Sequence, residues 1–158
     1  MTRVGLVLGA GGVIGEALHH GVLRAMEEVG IDATGADVVV GTSAGSIVAA
    51  SLRRRGSNAQ VRPLGMRTSR TGGRGDALAM LRRPRQILNG LLLAPELATG
   101  RLSTDFLSEG LRARHGQAWP EAALWIVAVR RSDGQRVVFG RDGDPPADVA
   151  SAVAASCA

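Results

Sequence analysis

The sequence predicts an α/β protein with a mainly parallel sheet, and three stretches carry that prediction. Residues 4–8 are an apolar run that breaks into glycines, after which apolar residues recur at helical spacing. Residues 38–40 are a β-branched run that breaks at Gly41 and continues as an alanine-rich helical pattern. Residues 124–129 form a third strand, again strongly aliphatic.

The first strand runs into Gly9-Ala10-Gly11-Gly12-Val13-Ile14-Gly15. Ala17, Leu18, Val22, Leu23, Ala25, Met26 and Val29 then mark a helix that stops at Gly30. A glycine-rich loop at a helix start exposes several backbone N–H groups to an anion, either a phosphate or an oxyanion. The spacing of Gly9, Gly11 and Gly15 also fits a dinucleotide-binding loop, which makes a nucleotide-binding βαβ domain a rival reading. That reading calls for an acidic residue closing the second strand, and residues 38–40 close on Gly41-Thr42-Ser43 instead.

Gly41-Thr42-Ser43-Ala44-Gly45 reads as a nucleophile elbow, with Ser43 at the tip of a sharp strand-to-helix turn. Such a turn strains the serine backbone and brings neighbouring chain close to it. Gly41 and Gly45 remove the Cβ atoms that would collide, while Thr42 and Ala44 keep the remaining bulk low. The helix starting near Ala44 points its positive end at the site and favours an anionic intermediate. The plainer reading is a tight turn that happens to contain serine.

Further along, the second helix is expected over residues 44–52, fraying in Arg53-Arg54-Arg55. From there to about Gly75 little periodicity survives, and residues 77–81 and 86–93 are short apolar helical candidates. Ser103-Thr104-Asp105 opens another helix, closed by Arg112, Arg114 and His115. Trp119-Pro120 turns the chain. After the 124–129 strand, Ser132-Asp133-Gly134-Gln135 is a turn and residues 136–139 are a hairpin partner or the next strand. Beyond Gly143-Asp144-Pro145-Pro146, a small-residue helix over about 147–155 runs into Ser156-Cys157-Ala158.

Composition bounds the function. With 158 residues, 45% of them hydrophobic, two Phe, two Trp and no Tyr, the chain is one domain with an aliphatic core. A single cysteine excludes an internal disulfide and fits a reducing compartment. Without a secretory signal or a membrane-length apolar run, a soluble cytoplasmic protein is expected. All 19 basic residues are arginine. Residues 53–85 hold ten of them against one acid, a local charge of +9, while the rest of the chain is at −4. Residues 53–100 therefore read as a basic, partly mobile insertion or lid. Its 53–85 portion has two readings, peripheral contact with an anionic membrane or a solvated loop. Nucleic acid is not an expected partner, because no aromatic residues are interleaved for base stacking. His19, His20, His115 and Cys157 show no metal-ligand spacing, and no metal or other cofactor is expected. A Ser-His pair would require His20 to face the elbow, and Cys157 reads as a small buried hydrophobe.

Taken together, the loop at residues 9–15, the Gly41–Gly45 elbow, Arg136-Val137-Val138-Phe139 and the closing Ala154-Ala155-Ser156-Cys157-Ala158 resemble the patatin-like phospholipase family over nearly the whole chain. The resemblance implies a three-layer α/β/α acyl hydrolase that uses a Ser-Asp dyad on lipid or phospholipid substrates. It makes Ser43 the nucleophile and Gly11 and Gly12 the oxyanion donors. Ala10 stands where the family usually has glycine, and Ile14 where it has Arg or Lys. The family's aspartate lies in an Asp-Gly-Gly or Asp-Gly-Ala motif after the last helix, so the dyad partner is expected beyond Ala158 and the chain to be an incomplete copy of the domain. Asp133 and Asp142 precede that helix and read as turn residues. A non-catalytic fragment or pseudoenzyme that binds lipid or a partner is the alternative from another functional class.

Overall fold

The computed structural model describes residues 3–55, 109–113 and 118–158. Its sheet has four strands in the order β1 (Gly5–Leu8), β2 (Val38–Gly41), β3 (Leu124–Val129), β4 (Arg136–Phe139). β1, β2 and β3 run parallel and β4 returns antiparallel to β3 as a hairpin. This is the α/β class and mainly parallel sheet that the sequence predicts.

Register fixes the faces of the sheet. Leu6, Val39 and Leu124 align across the first three strands, and Leu8, Gly41, Ile126 and Phe139 across all four. Because side chains alternate along a strand, these residues share one face. That face is covered by α2 (Ala44–Arg55) and α3 (Val149–Cys157), whose Val48, Leu52, Ala150 and Val153 are fully buried with Val39 and Ile126. α1 (Gly12–Glu28) packs against α2 and contributes Leu23 to the same core. Small residues along α2 and α3 let both helices approach the strands closely, which accounts for a core with few aromatic side chains.

Several boundaries differ from the sequence reading. α1 begins at Gly12, so the loop proper is residues 9–11, and Gly12 to Gly15 form the first helical turn. Gly30, at φ +81°, turns the chain out of that helix. α2 continues through Arg55 instead of fraying from Arg53. The guanidinium of Arg53 explains this: it donates to the carbonyl oxygens of Ala123 (3.1 Å), Thr34 (2.8 Å) and Ala36 (2.7 Å), tying the end of α2 to the loops entering β2 and β3. α3 is capped by Asp148, which accepts from the Ser151 amide at 2.9 Å, and so starts at Val149. The Trp119 indole anchors the turn before β3 by donating to the Ala147 carbonyl at 2.6 Å. Residues 109–113 are helical, within the segment expected to be a helix. The rest of that segment including His115, the 77–81 and 86–93 candidates, and all of the basic stretch after Arg55 lie outside the described residues. Among the described residues no helix is long and apolar enough to cross a membrane.

Candidate active site

β2 delivers the elbow. Hydrogen-bonded on both sides, it holds Val38 to Gly41 straight, and α2 begins only three residues after it ends. The chain makes this reversal by placing Ser43 in the left-handed region at φ +51°, the only non-glycine residue with positive φ among the described residues. For a residue with a Cβ that conformation costs about 1–3 kcal/mol, so the surroundings must impose it.

They do so through the two glycines and a set of braces. A Cβ on Gly41 would stand 2.5 Å from the Ser46 Cα and 2.9 Å from its nitrogen, and a Cβ on Gly45 would overlap the Leu8 carbonyl. The Thr42 amide donates to Leu8 O at 3.0 Å and the Gly45 amide to Gly9 O at 3.2 Å, so the elbow is docked on the end of β1 and the start of the glycine loop. On the other side the Ser43 amide donates to Ser156 Oγ at 2.8 Å, and that hydroxyl donates to Val127 O at 2.6 Å. The Ser43 carbonyl accepts from the Ser46 amide (2.8 Å), the Ile47 amide (3.3 Å) and Ser46 Oγ (2.6 Å), which fixes the first turn of α2. Ser43 itself is half-buried.

The glycine loop faces this elbow through Gly9, whose carbonyl also accepts from His19 Nε2 at 2.8 Å. A carbonyl can only accept, so this His19 carries its proton on Nε2. Gly11 and Gly12 follow, both exposed, with Gly12 at φ +55°. A Cβ on Gly11 would lie 2.6 Å from the Gly15 Cα, so the first turn of α1 closes only on glycine. No side chain caps this helix start, and its first turn carries no acidic residue.

A second polar group lies on α1. Glu16 on α1 is buried, and His20, one turn on, has Nε2 3.8 Å from its carboxylate. Burial lowers the His20 pKa, against the pull of Glu16 toward the charged ring. His19 is thus committed to Gly9, whereas the buried His20 Nε2 makes no hydrogen bond and stands 3.8 Å from Glu16, so neither Nε2 is hydrogen-bonded to Ser43. Cys157, expected as a small buried hydrophobe, is half-buried and packs against the hydrophobic core, beside the side-chain hydroxyls of Ser46 and Ser43. Burial pushes the thiol pKa up and those hydroxyls oppose the push. Asp133 accepts from Arg130 and from the Gln135 amide inside the β3–β4 turn, and Asp142 lies in a turn closed by the Arg141–Asp144 ion pair. Among the described residues no group of His, Cys, Asp or Glu could hold a metal ion.

The structure therefore brings together Gly41, Thr42, Ser43, Ala44 and Gly45 with the loop that leads to Gly11 and Gly12. The sequence reading gave no role to Ser156 or Glu16. Ser156 could have been noticed as a lone hydroxyl at the end of an alanine-rich helix, but its partners are 113 and 29 residues away and no local pattern announces them.

Solved structures of the type III effector ExoU share this fold. The ExoU–SpcU heterodimer from the type III secretion system of Pseudomonas aeruginosa matches 98% of this chain and 36% of its own at 24% identity and a TM-score of 0.54. A crystal structure of ExoU gives 98% and 39% at 21% identity and 0.53. The chain thus spans well under half the length of these proteins. No curated protein matches it. The family model described as patatin-like phospholipase matches residues 6–158, and the chain belongs to that family.

Proposed function

We propose that this chain carries the nucleophile and oxyanion hole of a lipid acyl hydrolase of phospholipase A or lysophospholipase type. The observation that carries the reading is Ser43 held at φ +51° between a parallel strand and a helix, with glycines on both sides. In this reading Ser43 Oγ attacks the ester carbonyl carbon as its proton passes to an aspartate outside these residues. The C–O bond then breaks with protonation of the leaving alcohol, and water attacks the acyl-serine to release the fatty acid. Lipid hydrolysis fits the family to which the chain belongs.

Support for a loop-based oxyanion hole comes from hydrogen-bond accounting. The amides of Thr42, Ser43, Gly45 and Ser46 already donate to Leu8, Ser156, Gly9 and Ser43, so the elbow has little left for a substrate oxygen. Gly11 and Gly12, at an uncapped helix start on the loop docked against the elbow, supply N–H groups where the helix dipole adds to them. Activity is expected of the full protein that supplies the aspartate, and little turnover of residues 1–158 alone.

The test is a fluorophosphonate probe and a short-chain nitrophenyl ester applied to the full protein and to Ser43→Ala. Labelling and hydrolysis by wild type but not by the variant support the reading. An unlabelled wild type, or labelling that survives Ser43→Ala, overturns it.

A further inference from the structure

The parallel register between β2 and β3 would continue through the elbow if the chain ran straight. Val39 pairs with Leu124 and donates its N–H to the carbonyl of Ala123, one residue earlier. Gly41 pairs with Ile126. Two residues further on, the same rule sends the Ser43 N–H to the carbonyl of Val127. The strand ends at Gly41, however, and the chain turns away at Ser43 to enter α2. That turn would leave an N–H on the nucleophile residue and a strand carbonyl on β3 both without the partner the ladder assigns them.

Ser156 fills this place. Its Oγ accepts from the Ser43 N–H at 2.8 Å and donates to the Val127 carbonyl at 2.6 Å. One hydroxyl, both acceptor and donor, is thus inserted into the rung that the register predicts. On the opposite side Thr42 keeps a direct bond to Leu8 at 3.0 Å. The elbow is therefore tied to β1 directly and to β3 through one side chain. The extra length of that link lets the chain leave the sheet plane at Ser43 without breaking the ladder.

We infer that Ser156 is a positioning residue for the nucleophile: its hydroxyl sets the Ser43 backbone, and with it the direction of Ser43 Oγ. The inference rests on the hydrolase reading for its catalytic consequence, but the bridge itself does not. Nothing in the geometry has Ser156 touch substrate. A side chain with one group that both accepts and donates is required. Thr meets that requirement, Ala does not, and Cys keeps the volume with much weaker hydrogen bonding.

The experiment compares wild type, Ser156→Ala, Ser156→Cys and Ser156→Thr in the full protein. Two readouts are used: hydrogen exchange at the Ser43 amide, and steady-state hydrolysis of a nitrophenyl ester. Thermal unfolding of each variant accompanies them. The expected result is a Ser43 amide protected in wild type and Ser156→Thr, and faster-exchanging by about tenfold or more in Ser156→Ala and Ser156→Cys. In parallel, kcat should fall about 30- to 100-fold in the Ala and Cys variants with KM within about twofold, and Thr should recover most of it. A loss confined to stability would leave exchange at Ser43 no different from that at its neighbours. An unchanged Ser43 amide in folded Ser156→Ala or Ser156→Cys overturns the bridge. Faster exchange with unaltered kcat overturns the positioning role. If wild type neither labels nor turns over, the hydrolase reading fails, while the exchange measurement still decides the bridge.

Discussion

Gly45 and Leu8 meet backbone to backbone: no Cβ fits on Gly45 beside the Leu8 carbonyl, while the Gly45 amide donates to the next carbonyl, Gly9, at 3.2 Å. This contact holds the Ser43 turn against the glycine loop, and it makes a sharp prediction. Gly45→Ala must push backbone against backbone, where no flexible side chain can yield, and should cost about 3 kcal/mol or more in denaturant unfolding. Gly21, in the middle of α1 with nothing near its position, is the control. Gly21→Ala should raise stability by about 0.5–1 kcal/mol through helix propensity alone. Equal and small effects at the two positions would mean that the elbow and loop are not in contact.

Strain at Ser43 predicts an exchange of stability against reactivity. Its φ of +51° suits glycine, so Ser43→Gly relieves the backbone at the expense of some unfolded-state entropy. The variant should be about 1 kcal/mol more stable than Ser43→Ala, which keeps the strain, and both should be inert to a fluorophosphonate. Guanidinium titrations of the two variants measure the difference. A glycine variant less stable than the alanine variant would show that the left-handed conformation at this position is not strained.

The strands and the elbow are legible in the sequence because each is a local signal. Residues 38–40 are all valine and 124–129 are apolar without interruption, and the small residues around Ser43 are what a tight reversal needs. The start of α1 is less legible, because glycines at 12 and 15 look like loop until the Gly11–Gly15 contact shows that a helical turn closes there. Arg53 reads as part of a basic run on charge alone. Only the fold shows it is a structural brace, since its three carbonyl partners come from segments 17 to 70 residues away. Ser156 fails the same way: its role follows from strand register, which no stretch of sequence encodes by itself.

Arg53 should therefore behave as a core residue despite its charge. Its planar fork reaches three carbonyls at once, and burial lowers its pKa without neutralising it. Arg53→Met leaves the Thr34 and Ala36 carbonyls without their donor and should cost about 2–4 kcal/mol. Arg53→Lys, with a single point of charge, should recover less than half of that. Arg24→Met is the comparison. Its i,i+4 partner Glu28 is exposed, and the change should be worth under about 0.5 kcal/mol. A lysine at position 53 as stable as arginine would mean that the fork geometry is irrelevant.

His20 predicts a pH dependence with a definite sign. Burial lowers its pKa in the folded state, with Glu16 opposing and His19 assisting. Above the ordinary imidazole value of about 6.5 the ring is neutral in both states, and its contribution to stability is fully present. As the pH falls below that value the unfolded chain takes up a proton first, so stability declines until the lower folded-state pKa is passed. The lowered carboxylates Asp32, Asp133 and Asp148 act on the same principle but only near and below about pH 4. His20→Gln should therefore lose less stability than wild type between about pH 6.5 and 5, with the two curves parallel above pH 7. Urea unfolding at half-unit pH steps measures both, and curves that stay parallel throughout that window would place the imidazole in an environment no drier than solvent.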